Sequence, residues 1–192
     1  TLLITLSQTL GKNYKKALNK YAKALNQTAQ RVLGRRRIGK NKTYGEASGK
    51  LRNSLTYQVS GSSIKFSSSQ PSAKFIYWGV NGTMRNHNSP FSFKDKAPPI
   101  DPIMRWMKVK PLRLRDEETG KFIKQTEPKL KSAAYVIAQA IKRKGIASLK
   151  YYDIAYESTL KKWSKILADA IAKDLLEDLD DELKTDENID IK

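Results

Sequence analysis

The stretch from Ala73 to Met107, AKFIYWGVNGTMRNHNSPFSFKDKAPPIDPIMRWM, limits the fold more than any other part of the chain. Phe75, Ile76, Tyr77, Trp78 and Val80 lie close together with no turn former before Gly79, a composition that suits a strand covered on both faces. A central sheet strand over Ala73 to Val80 is therefore expected. Asn81-Gly82-Thr83 and Met84 to Pro90 are too polar and too rich in turn formers to remain in a sheet, so the chain should leave it as an exposed basic loop. It returns through Pro90-Phe91-Ser92-Phe93 and Pro98-Pro99 to Asp101-Pro102. Asp caps a helix well and Pro is pre-set for its first position, which predicts a short helix carrying Ile103, Met104, Trp106 and Met107.

The flanking segments show clear periodicities. Tyr14, Ala17, Leu18, Tyr21, Leu25, Ala29 and Val32 recur at helical spacing between lysines, and Gly34 stands where such a helix would end. The first ten residues, TLLITLSQTL, fit either an added strand or a helix extension. Leu51, Leu55, Tyr57 and Val59 alternate, Ser60-Gly61-Ser62 offers a turn, and Ile64 and Phe66 alternate again, as a β-hairpin requires. With the strand after it, the hairpin would make three sequential strands of an antiparallel sheet. Beyond Pro111, Leu112 to Leu114 and Phe122-Ile123 flank the turn-like Asp116 to Gly120, so residues 111–125 read as an inserted hairpin. Thr126 to Lys144 is helical, with Ala133, Val136, Ile137, Ala140 and Ile141 on one side and Gly145 at its end. A last helix, from about Tyr151 to Leu183, would turn Tyr152, Tyr156, Leu160, Trp163, Leu167, Ile171 and Leu175 to one face. The expected architecture is α+β: a small, curved antiparallel sheet packed against an N-terminal amphipathic helix and long C-terminal helices. One domain is expected over 1–184, followed by a disordered acidic tail, 185–192.

Charge is segregated along the 192 residues. Thr1 to Lys94 holds 17 Lys or Arg against the single acid Glu46, whereas Lys173 to Lys192 holds nine acids against three Lys. The basic half is concentrated in Arg31, Arg35, Arg36 and Arg37, with Lys40, Lys42, Lys50 and Arg52 close behind. Such a region can grip phosphate or an acidic partner, and the opposite poles suit head-to-tail association. With no cysteine there is neither a disulfide nor a thiolate metal site. No apolar run approaches the roughly 18 to 20 residues of a membrane span, and the N-terminus lacks a basic start before an apolar core. A soluble chain without membrane contact or leader is expected.

Catalysis has little to draw on. The only histidine, His87, stands in the polar loop, whereas nucleophilic catalysis needs a base held beside its nucleophile. Gly79-Val80-Asn81-Gly82 lacks the rest of a phosphate-cradling signature. Acids between Asp174 and Glu182 read as the solvated face of a helix. A basic nuclease would need metal ligands, and Glu46, Asp95 and Asp101 are the acids in or near the basic half. Phe75, Tyr77 and Trp78 beside Lys74 and Arg85 could stack bases on an open sheet, but core packing is the simpler use of them. The residues thus point to a non-enzymatic role without cofactor or metal.

A family resemblance rests on three segments taken in order. They are Ser48-Gly49-Lys50-Leu51-Arg52-Asn53-Ser54-Leu55, then Phe75-Ile76-Tyr77-Trp78-Gly79-Val80-Asn81-Gly82-Thr83, then Ser89-Pro90-Phe91. In that order they resemble the neck or tail-completion proteins of tailed bacteriophages. These have a small-Gly-x-Leu-x-x-Ser step into a hairpin, an aromatic strand ending in Gly-Thr, a mobile loop and Pro-Phe before a helix. The resemblance spans roughly Ser48 to Trp106. It departs from the family pattern before Gly82-Thr83, where an acid is usual, and in the insertion around Gly120. It implies a structural virion protein that forms a ring of six or twelve copies, joining portal or head-completion proteins to the tail after assembly in the host cytoplasm. Gly82, Thr83, Met84, Arg85, Asn86 and His87 would form a contact loop that orders on assembly. Contact with genomic DNA stays open. The alternative is a basic nucleic-acid-binding protein that holds phosphate backbones.

Overall fold

The computed structural model describes residues 11–34, 48–93, 95–109, 114–116, 118–122, 124 and 126–186. The fold is α+β, with a small curved antiparallel sheet, an N-terminal helix and long C-terminal helices. In order the elements are α1 (Lys12–Gly34), α2 (Lys50–Asn53), β1 (Leu55–Ser60), β2 (Ser63–Ser68), α3 (Ala73–Trp78), α4 (Ile100–Val109), α5 (Glu127–Lys144) and α6 (Tyr151–Asp186). They group into two compact units. One comprises Thr1–Val32, Leu55–Ser67 and Tyr152–Lys192, and the other Leu33–Ser54 and Ser68–Tyr151.

In the first unit α1 and α6 lie side by side and antiparallel. Tyr21 of α1 stacks on Trp163 at 5.4 Å between ring centroids. Toward one end Asn26 accepts a hydrogen bond from the Tyr152 hydroxyl at 3.1 Å, and toward the other Asn13 meets Asp174. α1 buries Ala17, Leu18, Tyr21, Ala22, Leu25 and Ala29, the face its apolar spacing predicts. α6 covers only part of its predicted face, where Tyr152, Trp163 and Leu167 are half-buried. Its covered side runs through Ala155 and Asp174, while Tyr156, Leu160, Ile171 and Leu175 are exposed. The covered side of α6 thus mixes bulky Tyr152 and Trp163 with Ala155 and Asp174. The hairpin packs on the same pair: Phe66 lies 4.6 Å from the Tyr152 ring, and the Asn26 side-chain amide donates to the Leu55 carbonyl. Gly61, at φ +55, opens its two-residue turn, where a left-handed residue matches the twist of the strands.

In the second unit the expected central strand is a helix. Ala73 to Trp78 forms α3, and Gly79 ends it. A short apolar run has no full period to separate helix from strand, and here tertiary contacts decide. The Ile76 carbonyl accepts the Leu149 N–H at 2.8 Å, Tyr77 packs edge-on against buried Tyr151, and Phe75 against Phe91. Extended pairing starts only after Gly79, with Val80 antiparallel to Ile146 and Asn81 parallel to Ser92. The sheet therefore has two strands, not three. Leu51, read as the start of the hairpin, lies in α2.

α4 and α5 form the apolar centre of this unit, where Ile103 and Met107 pack on Leu130, Ala134 and Ala138. Asp101 and Pro102 sit in the first turn of α4, which begins one residue earlier, at Ile100. Thr126 and Gly145 bound α5 as expected, but Val136 faces outward. Of the inserted hairpin, the described part is a single bridge, Arg115 to Phe122, closed by a turn in which Asp116 accepts from the Thr119 N–H and hydroxyl. These bonds hold the Asp116 carboxyl below its ordinary range. α6 continues two residues into the expected tail, whose remainder, 187–192, is outside the described residues, as are residues 1–10.

Candidate functional site

The loop after α3 is built around one side chain. Asn81 Oδ1 accepts the backbone N–H of His87 at 2.8 Å and that of Ser89 at 3.2 Å, while its Nδ2 donates to the Ser89 carbonyl at 2.7 Å. The Asn81 backbone is paired as well, with its N–H on the Phe91 carbonyl and its carbonyl on the Phe93 N–H. Inside this frame the Gly82 N–H donates to the Arg85 carbonyl at 2.9 Å, and the Ser89 hydroxyl donates back to the Gly79 carbonyl at 2.7 Å. Asn88 takes a left-handed φ of 53°, a conformation Asn tolerates better than most residues.

The loop is seated on the C-terminal turn of α5. The last carbonyls of a helix have no partner within it, and here the loop supplies donors. Thr83 N–H reaches the Lys142 carbonyl at 3.0 Å, Met84 N–H the Arg143 carbonyl at 2.9 Å, and His87 Nε2 the Lys144 carbonyl at 2.9 Å. A carbonyl oxygen only accepts, so Nε2 of His87 carries the proton. Gly82 and Gly145 make the seat possible. A Cβ on Gly82 would collide with the Arg143 carbonyl oxygen, and one on Gly145, already at φ +69, with the Val80 carbonyl oxygen. The lone histidine thus serves as a helix terminator.

The loop expected to order on assembly is bonded within the chain, through Asn81 and the end of α5. The side chains of Thr83, Met84, Arg85 and Asn86 remain exposed, while Gly82 and His87 are half-buried. This bonded loop therefore presents Thr83, Met84, Arg85 and Asn86 side by side.

Of the basic region, Arg31, Lys50 and Arg52 are described, and all three are exposed. Arg35, Arg36, Arg37, Lys40 and Lys42 are outside the described residues. Arg31 lies along its own helix, with Nη2 on the Thr28 hydroxyl at 3.0 Å. The larger basic surface, not singled out from sequence, is the solvent face of α1. Lys12, Lys15, Lys16, Lys20, Lys23 and Arg31 are exposed along it, and no acid interrupts them. Lys12, Lys16, Lys20 and Lys23 stand at intervals of four, four and three, which carries that signal.

The aromatic segment is only partly covered, with Phe75 36% and Trp78 45% exposed. Lys74 Nζ lies 5.1 Å from the centroid of Phe75 and 5.6 Å from that of Phe91, and Lys150 Nζ lies 5.8 Å from Trp78. Each of these rings thus has one of the chain's own cations near it. Among the described residues no group of three or more His, Asp or Glu side chains could hold a metal ion. None of the described helices is long and apolar enough to cross a membrane.

Asp174, one of the acids expected on a solvated face, is buried at the start of α1. Gly11 leaves room for its carboxylate, which accepts the N–H groups of Asn13 at 2.8 Å and Tyr14 at 2.7 Å and the Asn13 amide at 2.9 Å. Burial pushes this carboxyl up, but the donors and nearby Lys12 outweigh it and hold the group below the ordinary aspartate range. A distant residue therefore does the work of an N-cap.

Compared with protein families, characterised proteins and solved structures, the chain matches none.

Proposed function

We propose that this chain is a structural component of the neck or tail of a tailed bacteriophage, assembled as a ring that joins portal or head-completion proteins to the tail. The observation that carries the proposal is the order of segments along one chain: the Ser48 to Leu55 step into the hairpin, the aromatic segment running to Gly82-Thr83, and Pro90-Phe91 before a helix. The loop at 82–87 supports it physically. A contact element that keeps its shape before binding loses little freedom on docking, and this loop is fixed by Asn81 and by the end of α5. In a ring each copy meets its neighbour through two different surfaces, a role that suits opposite charge at the two ends of the chain. No reaction is assigned. Imaging of the intact particle at side-chain resolution tests the proposal: density for this chain as a closed ring between portal and tail is expected, and a particle complete without it overturns the assignment.

The basic face of α1 favours a second reading, binding of nucleic acid through phosphate contacts. It predicts that log affinity falls linearly with log salt, by about 0.9 for each phosphate neutralised on duplex DNA. A shallow or absent salt slope removes it.

A further inference from the structure

Among the exposed apolar surfaces of the described residues, two carry opposite charge. The first is the end of α6. Past Asp174, Leu176, Leu179 and Leu183 are 62%, 54% and 64% exposed, with Ile171 and Leu175 leading into them. Spacings of three, four and seven put these leucines on one stripe. Asp178 and Glu182 fall on one flank of it and Asp180 on the other. Between Asp174 and Asp186 there are seven acids against Lys184.

The second is the outer side of α5. Tyr135 and Val136 are 55% and 63% exposed at its middle, on the side away from Ala134 and Ala138. Lys129, Val136 and Arg143 recur every seven residues along this side, with Lys131 and Lys142 beyond Tyr135. An apolar centre with cations on both flanks faces the solvent. It is the counterpart of an apolar stripe with anions on both flanks.

We infer that the end of α6 in one copy, Ile171 to Leu183, docks across the Tyr135–Val136 side of α5 in a second copy of this chain. The leucine stripe covers Tyr135 and Val136, while Asp178, Asp180 and Glu182 meet Lys129, Lys131 and Arg143. Neither surface is self-complementary in charge, so the contact is heterologous and the joined pair keeps one free surface of each kind. Copies therefore add head to tail. This deepens the ring reading and rests on it only for closure of the series into a ring. The apolar centre supplies the affinity, while the charges choose the partner surface and steer its approach.

Two surface variants test the contact, Leu179→Asn with Leu183→Asn on α6, and Val136→Lys with Tyr135→Ala on α5. Sedimentation of the full chain across protein concentrations reads self-association, and circular dichroism confirms that each variant folds. The expected result is concentration-dependent association of the wild type, with the dissociation constant raised about tenfold or more in either variant alone. An equimolar mixture should restore a complex limited to two copies, because each partner contributes the surface the other lacks. Charge reversal by Lys131→Glu with Arg143→Glu should weaken association, and Asp178→Lys with Glu182→Lys in the other copy should recover it. Variants that associate like the wild type overturn the inference and leave the ring reading to another surface. A wild type that stays monomeric up to about millimolar concentration overturns the inference as well. So does a fall in thermal stability of the isolated α6 variant with no change in mass, which would assign cover of the stripe to the chain's own first ten residues.

Discussion

Asp174 of α6 grips the first turn of α1 across 161 residues of sequence, with one carboxylate oxygen accepting the Asn13 N–H and the other the Tyr14 N–H. The bond pair closes the end of the antiparallel α1–α6 arrangement that Tyr152 and Asn26 close elsewhere.

This cap makes stability depend on acid in a defined direction. The folded-state pKa of Asp174 is depressed, so its contribution is fully present above the ordinary aspartate value of about 3.9 and is lost as pH falls through the lower, folded-state value. Denaturant unfolding followed from neutral to acid pH should show this loss in the wild type, and the slope should shrink in Asp174→Asn. An unchanged slope in that variant would assign the acid sensitivity to other carboxylates.

Asn26 is buried and bridges α1, β1 and α6, donating to the Leu55 carbonyl and accepting from the Tyr152 hydroxyl. Asn26→Ala leaves a buried acceptor without its donor and should cost about 1–3 kcal/mol, against about 0.5–1.5 kcal/mol for Tyr152→Phe. The double variant should fall short of the sum, as coupled partners do. Full additivity in chemical denaturation would mean that the two side chains act independently.

Met107 is 1% exposed and sits against Ala134 and Ala138. Met107→Ala opens a cavity between α4 and α5 and should cost about 2–5 kcal/mol. Met107→Leu keeps the volume and should cost less than about 1.5 kcal/mol. Equal losses in the two variants would show that volume is not what the site requires.

The loop should depend on Asn81 far more than on its exposed tip. Asn81→Ala removes three hydrogen bonds, so amide exchange at His87 and Ser89 should quicken and spread to Thr83 and Met84. Met84→Ala, at a 76% exposed position, should leave exchange unchanged. Protection that survives Asn81→Ala would shift the role of organiser to the α5 terminus.

How much of this was legible beforehand follows from the range over which each signal acts. α1, α5, α6 and the hairpin announce themselves through apolar spacing and terminal glycines, both local properties. Ala73 to Trp78 does not, because β-favouring aromatics in a run of one and a half turns fit either conformation, and contacts from Leu149 and Tyr151 selected the helix. The rotational setting of α6 was legible only in part, since Tyr152 and Trp163 lie on the predicted face but Asp174 is covered through bonds to Asn13 and Tyr14 far away in sequence. At the loop, residues 82–87 could be picked out as exposed and polar, but their seating could not. Its bonds run from backbone to backbone or, for His87, to a carbonyl 57 residues away, and such partners leave no mark on composition.

α6 passes Asp174 without a break and continues to Asp186 as one helix. Successive residues of an α-helix turn by about 100° and advance about 1.5 Å, so the cap on α1 fixes the compass heading of the leucines a turn or more further on. Deleting one residue just after Asp174 would swing the stripe by about 100° with little change in length, while inserting seven would nearly restore its heading about 10.5 Å farther out. The helix therefore behaves as a keyed shaft, whose key is cut at the start of the chain and whose bit is cut near its end.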